Sequence, residues 1–280
     1  MPPTVETTVA ILEYGLVLAG LGFLVWLGFR PAGRAVRARP PALPPWDVTL
    51  TDFLILVWLV AALGLVAQLL LRSTIGRVLA RQQDADTLEL VVYGCMFHVG
   101  AILTWFLARA YVRRRRGGDA PPAPVPARAG WGRGGALAFL AAMPLVTAAD
   151  LLWEPLLKWA GLPVVRQELV DRFLAVKSPL ALAVMIVVAL LVAPVGEEIA
   201  FRAGLYRFLR GRTPRWVALT ASAGLFALIH ANWVSFLPLF VLGWVFALAY
   251  EQTGLIAVPI LAHALFNLNS LLLVLGGGGN

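Results

Sequence analysis

An all-α, polytopic membrane helix bundle of about eight transmembrane helices is the fold class this sequence predicts. Three observations predict it. Hydrophobic residues make up 60% of the 280 and charged residues only 14%, too few to cover a water-soluble domain of that length. Apolar runs of roughly 18 residues or more, the length that crosses a bilayer, recur along the chain. Basic residues gather in alternate connections, as cytoplasmic loops require.

The expected spans are 9–29, 50–71, 88–112, 135–154, 179–206, 215–233, 235–250 and 254–275. Residues 1–8 contain no arginine or lysine. The first apolar run, 11–29, is longer than a signal-peptide core, and Arg30, Arg34, Arg37 and Arg39 follow it. That order predicts a retained helix with the N-terminus outside. The inside connections then hold Arg30 to Arg39, Arg113 to Arg116 with Arg128 and Arg133, and Arg207 to Arg215, and the C-terminus is outside too. The net charge of +8 is read as this topology signal, and no nucleic-acid partner is expected. Cys95 stands alone, so no internal disulfide forms.

The stretch 113–134 is Arg-rich, then Pro- and Ala-rich, then Gly-rich, and reads as a flexible cytoplasmic linker. It separates three N-terminal spans (1–112) from a five-helix C-terminal unit (135–275). Residues 156–177 mix apolar residues with Arg166, Glu168, Asp171 and Arg172, the composition of an amphipathic helix on the outer interface.

Ionisable residues within spans are costly and mark function by default. The N-terminal spans carry Glu13 and His98, for which the sequence names no partner; the C-terminal unit carries Asp150, Glu154, Glu197, Glu198, Arg202, His230 and His263. Glu154 is expected at the interface. Glu198 and Arg202 are four apart, share a helix face and can pair. Glu197 points about 100° away and must find its partner on another helix. The bland alternative is a helix end with solvated charges. His230 could equally be a structural histidine bonded to a backbone carbonyl, and His263 with Asn267, four apart, a polar helix–helix contact.

Depth links these residues. At 1.5 Å per residue, Glu197 lies about 15 Å from the boundary near Arg207, His230 about 22 Å from Arg215, and His263 about 18 Å from Glu251. Three helices thus bring an acid and two imidazoles to similar, central depths. A carboxylate and an imidazole in reach of one water can activate it. A second histidine with an amide side chain can donate to an oxyanion. That inventory suits hydrolysis of a peptide bond. Glu197, His230 and His263 could also ligate zinc; between a divalent metal and no cofactor the residues do not decide. With histidines only at 98, 230 and 263, no His-Glu-x-x-His motif is present.

The patterns Glu-Glu-x-x-x-Arg (197–202), Phe-x-x-x-His (226–230) and His-x-x-x-Asn (263–267), in that order, resemble those of the CPBP intramembrane proteases, which include type II CAAX prenyl proteases and Abi-type bacterial immunity relatives. The resemblance covers about 180–273. It implies that Glu197 and His230 act on the water, that Glu198 and Arg202 hold the helix geometry, that His263 and Asn267 form the oxyanion or second-ligand side, and that Phe226 packs beside the site. It also implies a membrane-embedded or lipid-anchored peptide substrate, CAAX-like or sorting-tagged, and a multi-pass protein of a bacterial cytoplasmic membrane. Members are described both as glutamate proteases and as metalloproteases. The other readings are a non-catalytic immunity-type binding protein of the same fold, and an ion-coupled transporter using Glu13, His98, Glu197 and His263.

Overall fold

Where each helix begins follows from local chemistry. The computed structural model describes residues 4–43, 46, 48–115, 130–165 and 167–276, and every regular element among them is helical. In α1 (Val5–Phe29) the Thr4 side chain accepts the Thr7 N–H, occupying one of the orphan donors of the first turn. The short α2 (Pro31–Arg37) starts on a proline. α3 (Leu50–Leu79) opens on a capping box, with Thr49 and Asp52 side chains each bonding the other's backbone N–H. The third expected span is broken at Cys95 into α4 (Ala85–Gly94) and α5 (Met96–Arg115).

α6 (Trp131–Trp159) is a long central helix. Of the expected interfacial helix at 156–177, residues 156–159 extend α6, and the one separate helix among the described residues is α7 (Glu168–Ala175), amphipathic and with Phe173 buried. A composite span then runs from Pro179 to Arg210. It consists of α8 (Pro179–Val187), a π-helical turn at Val188–Val192, α9 (Ala193–Glu198), a second π-helical stretch at Ile199–Tyr206, and α10 (Arg207–Arg210). α11 (Arg215–Leu228), α12 (Trp233–Thr253) and α13 (Ala257–Leu275) complete the chain.

Seven of these stretches are long and apolar enough to cross a membrane, taking α4 with α5, and α8 through α10, as single spans. The eighth expected span, 215–233, is instead the 14-residue α11. It stops early because Ala231 adopts a left-handed φ of 49°, a backbone state that ends a right-handed helix. Most of the expected linker, 116–129, and Arg166 lie outside the described residues.

The centre of the bundle is apolar. Ala138, Phe139, Ala142, Met143 and Val146 of α6 pack with Leu242 and Phe246 of α12 and Val258 and Ala262 of α13. α1 packs along α6 and α13, whereas α3 packs on α5, and α5 on α9. The three N-terminal spans therefore attach to different sides of the C-terminal unit. α3 and α5 can approach closely because Gly64 and Gly100 face each other; a Cβ on Gly100 would lie 2.2 Å from the Val60 carbonyl oxygen.

Polar locks fix this N-terminal layer at both ends. At one end the Asp84 carboxylate accepts the backbone N–H groups of Lys177 and Ser178, at 2.8 and 2.6 Å. At the other, Ala42 N–H donates to the Glu251 carbonyl, Arg212 donates to the Val48 carbonyl, and the Phe53 and Phe208 rings stack at 3.9 Å. The buried Glu251 carboxylate receives Arg210 on one oxygen at 2.9 Å and Arg215 on the other at 2.6 Å. Glu251→Gln is expected to cost about 2–3 kcal/mol. That is less than a wholly buried pair, since both arginines keep some solvent contact. Thermal unfolding of the purified protein in detergent would register the loss.

Candidate active site

The acid pair sits where the helix is irregular. Val188–Val192 is π-helical, and the N–H of Ala193 bonds back five residues to Val188. The next carbonyl in that register, Ala189, would be served by residue 194, which is proline and has no N–H. The Asn267 amide of α13 donates to the Ala189 carbonyl instead, at 2.8 Å. Single π turns inside α-helices are rare and concentrate at functional sites. Here they flank the six residues that carry Glu197 and Glu198.

The solvated helix end is excluded. Relative exposure is 8% for Glu197, 0% for Glu198, 1% for Arg202 and 4% for His263. Glu198 Oε1 accepts both Arg202 Nη1 and His263 Nδ1, each at 2.9 Å. The expected i, i+4 pair is therefore present, and it does more than hold the helix, because it also grips the imidazole of α13. With Nδ1 committed to Glu198, His263 Nε2 points at Glu197 Oε2, 3.8 Å away. The Arg202 guanidinium lies over the Phe226 ring at 4.3 Å, a face that favours a cation. Gly243 of α12 makes room behind it, its Cβ position lying 3.5 Å from Arg202 Nη2.

Phe226 of α11 is fully buried between the two histidines, its ring 5.0 Å from that of His230 and 6.0 Å from that of His263. His230 Nδ1 donates to the Phe226 carbonyl at 2.8 Å. That is the bond expected of a structural histidine, and it has a second effect: it fixes the tautomer and leaves Nε2 with a free lone pair. The turn that carries His230 is held by Asn232, which caps α12 at Ser235 and donates to the Val165 carbonyl.

The structure adds one residue to the set for which the sequence offered no partner. His98 of α5 brings Nε2 to 3.9 Å from Glu197 Oε1 and lies within electrostatic range of His230 and His263. An unpaired histidine in an apolar span was the available signal; the helix it faces was not legible. Glu13 stays apart from this cluster, within electrostatic range of Asp150. Glu154 pairs with exposed Lys158 at 2.6 Å, as expected of an interface residue. Among the described residues, no three His, Cys, Asp or Glu side chains form a set arranged to hold a metal ion.

Comparison with known proteins bears on residues around this cluster. Residues 179–269 match the family model of Rce1-like, type II CAAX prenyl endopeptidases. A Bacillus subtilis (strain 168) protein named "Putative membrane peptidase YdiL" is 36% identical over 87 residues, which are 31% of this chain and 36% of that protein. The chain thus matches about a third of the length of this curated relative. No solved structure matches.

Proposed function

We propose, on the similarity of residues 179–269 to the Rce1-like family model and to a putative membrane peptidase, that this chain is an intramembrane endopeptidase of the CPBP type, cutting a membrane-associated peptide by activated water. The observation that carries this reading is the buried pair of adjacent carboxylates with divided tasks. Glu198 commits its Oε1 to both Arg202 and His263, whereas Glu197 accepts no hydrogen bond among the described residues and is approached by the imidazoles of His98 and His263 at 3.9 and 3.8 Å; the Oε2 atom of each carboxylate is buried without a partner among those residues.

In this mechanism Glu197 takes a proton from water, with His230 Nε2 holding the water for attack. The hydroxide oxygen bonds to the scissile carbonyl carbon. The resulting oxyanion is met by the amide hydrogen of Asn267 not used on Ala189, while His263, its Nδ1–H held by Glu198, turns Nε2 toward the same pocket. Glu197 then returns its proton to the leaving nitrogen as the C–N bond breaks, giving a carboxylic acid and an amine. The substrate is a lipid-anchored or membrane-embedded peptide, CAAX-like or sorting-tagged. It enters from the end that carries Arg207, Arg210, Arg212 and Arg215, which the positive-inside rule assigns to the cytoplasm of a bacterial cell; both termini are then outside, because the short α11 leads away from that end and α12 returns to it, where Glu251 meets Arg210 and Arg215.

The test is cleavage of lipidated and unlipidated reporter peptides by the full chain in liposomes, with metal content measured on the same sample. His230→Asn keeps a donor at the Nδ1 position, so the bond to Phe226 survives, but it removes the Nε2 lone pair. It is expected to lower kcat by roughly 100-fold or more with an unchanged melting midpoint. Cleavage at the wild-type rate by His230→Asn would overturn the role of His230. Absence of cleavage by wild type across reporters would overturn the protease reading.

A further inference from the structure

We propose that His98, contributed by α5 from outside the family-matched segment, is a positioning residue for Glu197: its Nε2–H holds the Glu197 carboxylate in the orientation in which that group takes the proton from water. This rests on reading Glu197 as the base.

Three observations converge on it. First, His98 Nε2 and His263 Nε2 approach opposite oxygens of one carboxylate, Oε1 at 3.9 Å and Oε2 at 3.8 Å. Glu197 is thereby bracketed by imidazoles from two helices, one from each half of the chain. At 3.9 Å the His98 contact is a near approach that must tighten by about 1 Å to become a hydrogen bond, as catalytic contacts do when substrate arrives.

Second, the approach is built into the backbone. The residue before Glu197 is Gly196, and a Cβ there would lie 2.4 Å from His98 Cβ and 2.6 Å from His98 Cα. Only glycine lets α5 press its histidine against this turn. The contact is made by His98 Cα and Cβ, so it fixes where α5 carries the ring relative to the main chain beside the base.

Third, His98 has no competing engagement. Its Nδ1 is buried without a hydrogen-bond partner among the described residues. The ring's other packing is an edge contact with Phe97 at 5.6 Å. Its polar edge therefore has one charged group to serve. The break at Cys95 starts α5 two residues before His98, and the His98 N–H bonds back to the Cys95 carbonyl. The position of the ring is set by the first turn of a helix and not by a mobile loop.

The proposal gives α3 through α5 a task. They supply a wall of the site, and the polar locks at Asp84 and at Arg212 keep that wall registered against α9.

The experiment uses the full chain in three variants. His98→Gln keeps a donor near the Nε2 position, His98→Asn keeps one near Nδ1, and His98→Phe keeps the volume with no donor. Positioning predicts that Phe and Asn lower kcat by about 10- to 100-fold with KM within twofold, and that Gln recovers to within about fivefold of wild type. Melting midpoints report folding. Equal loss in Gln and Phe, both folded, would overturn the proposal, as would wild-type turnover in Phe. A second readout needs no activity: imidazole ¹⁵N spectra of the three-histidine protein, with and without Glu197→Gln. Movement of the His98 Nε2 resonance in that variant supports the contact, and an unmoved resonance overturns it. If wild type cleaves no reporter, the protease reading fails while the spectra still decide whether His98 serves Glu197.

Discussion

Glu197→Gln is expected to lower peptide cleavage by about 1,000-fold while leaving the fold intact. The two side chains are nearly isosteric, so the packing at Gly196 and the shape of α9 are preserved. What disappears is the capacity to accept a proton, and a positioned general base contributes roughly 100- to 10,000-fold. Among the described residues Glu197 makes no hydrogen bond, its approaches to His263 and His98 being 3.8 and 3.9 Å, so little stability is lost with the charge. The check is kcat on a membrane-associated reporter together with the thermal midpoint of the same preparation. Retained turnover in a folded Glu197→Gln protein would remove water activation by this residue.

Glu198→Gln is expected to do the opposite first: to destabilise the protein by about 3–5 kcal/mol, the range for breaking a buried ion pair by removing one partner. Arg202 is 1% exposed and would keep its charge with no anion in contact. Against a total stability of order 5–15 kcal/mol, that loss is large. A paired change separates structure from chemistry. Glu198→Leu with Arg202→Met removes both charges, and apolar replacement of a buried pair is often neutral or stabilising. The double variant should therefore recover most of the unfolding midpoint. It should remain at least about 10-fold slower than wild type, because His263 Nδ1 has lost the acceptor that orients the ring. Recovery of both stability and turnover would show that Glu198 only neutralises Arg202.

The bundle was legible because lipid imposes a simple rule. Every backbone polar group must be satisfied within the span, so the apolar runs had to be helices, and the boundaries at Leu50, Pro179 and Leu275 fall within a few residues of those expected. The partnership of Glu198 with Arg202 was legible for the same reason, through i, i+4 geometry. Other features depend on long-range packing. The expected pairing gave Glu198 one partner, while the structure gives it two, because α13 is laid beside α9 only by the packed cores of α6 and α12. Asn267 reads in sequence as a polar companion of His263, and the proline-created gap at Ala189 that occupies one of its hydrogens appears only once α13 is docked. His98 was the hardest case. Its helix lies on the far side of the linker, and the pointer to its place, Gly196, is a missing side chain.

The two widened turns around the acid pair set what this stretch of gene can tolerate. Each residue of helix contributes about 100° of rotation and 1.5 Å of advance. Losing one codon between Val188 and Val192 would tighten that loop of backbone and swing everything downstream by a quarter-turn or more, aiming Glu198 toward the direction Glu197 now holds. Exchanges among valine, leucine and alanine there would be absorbed by the surrounding hydrocarbon. Here the number of letters matters more than their identity.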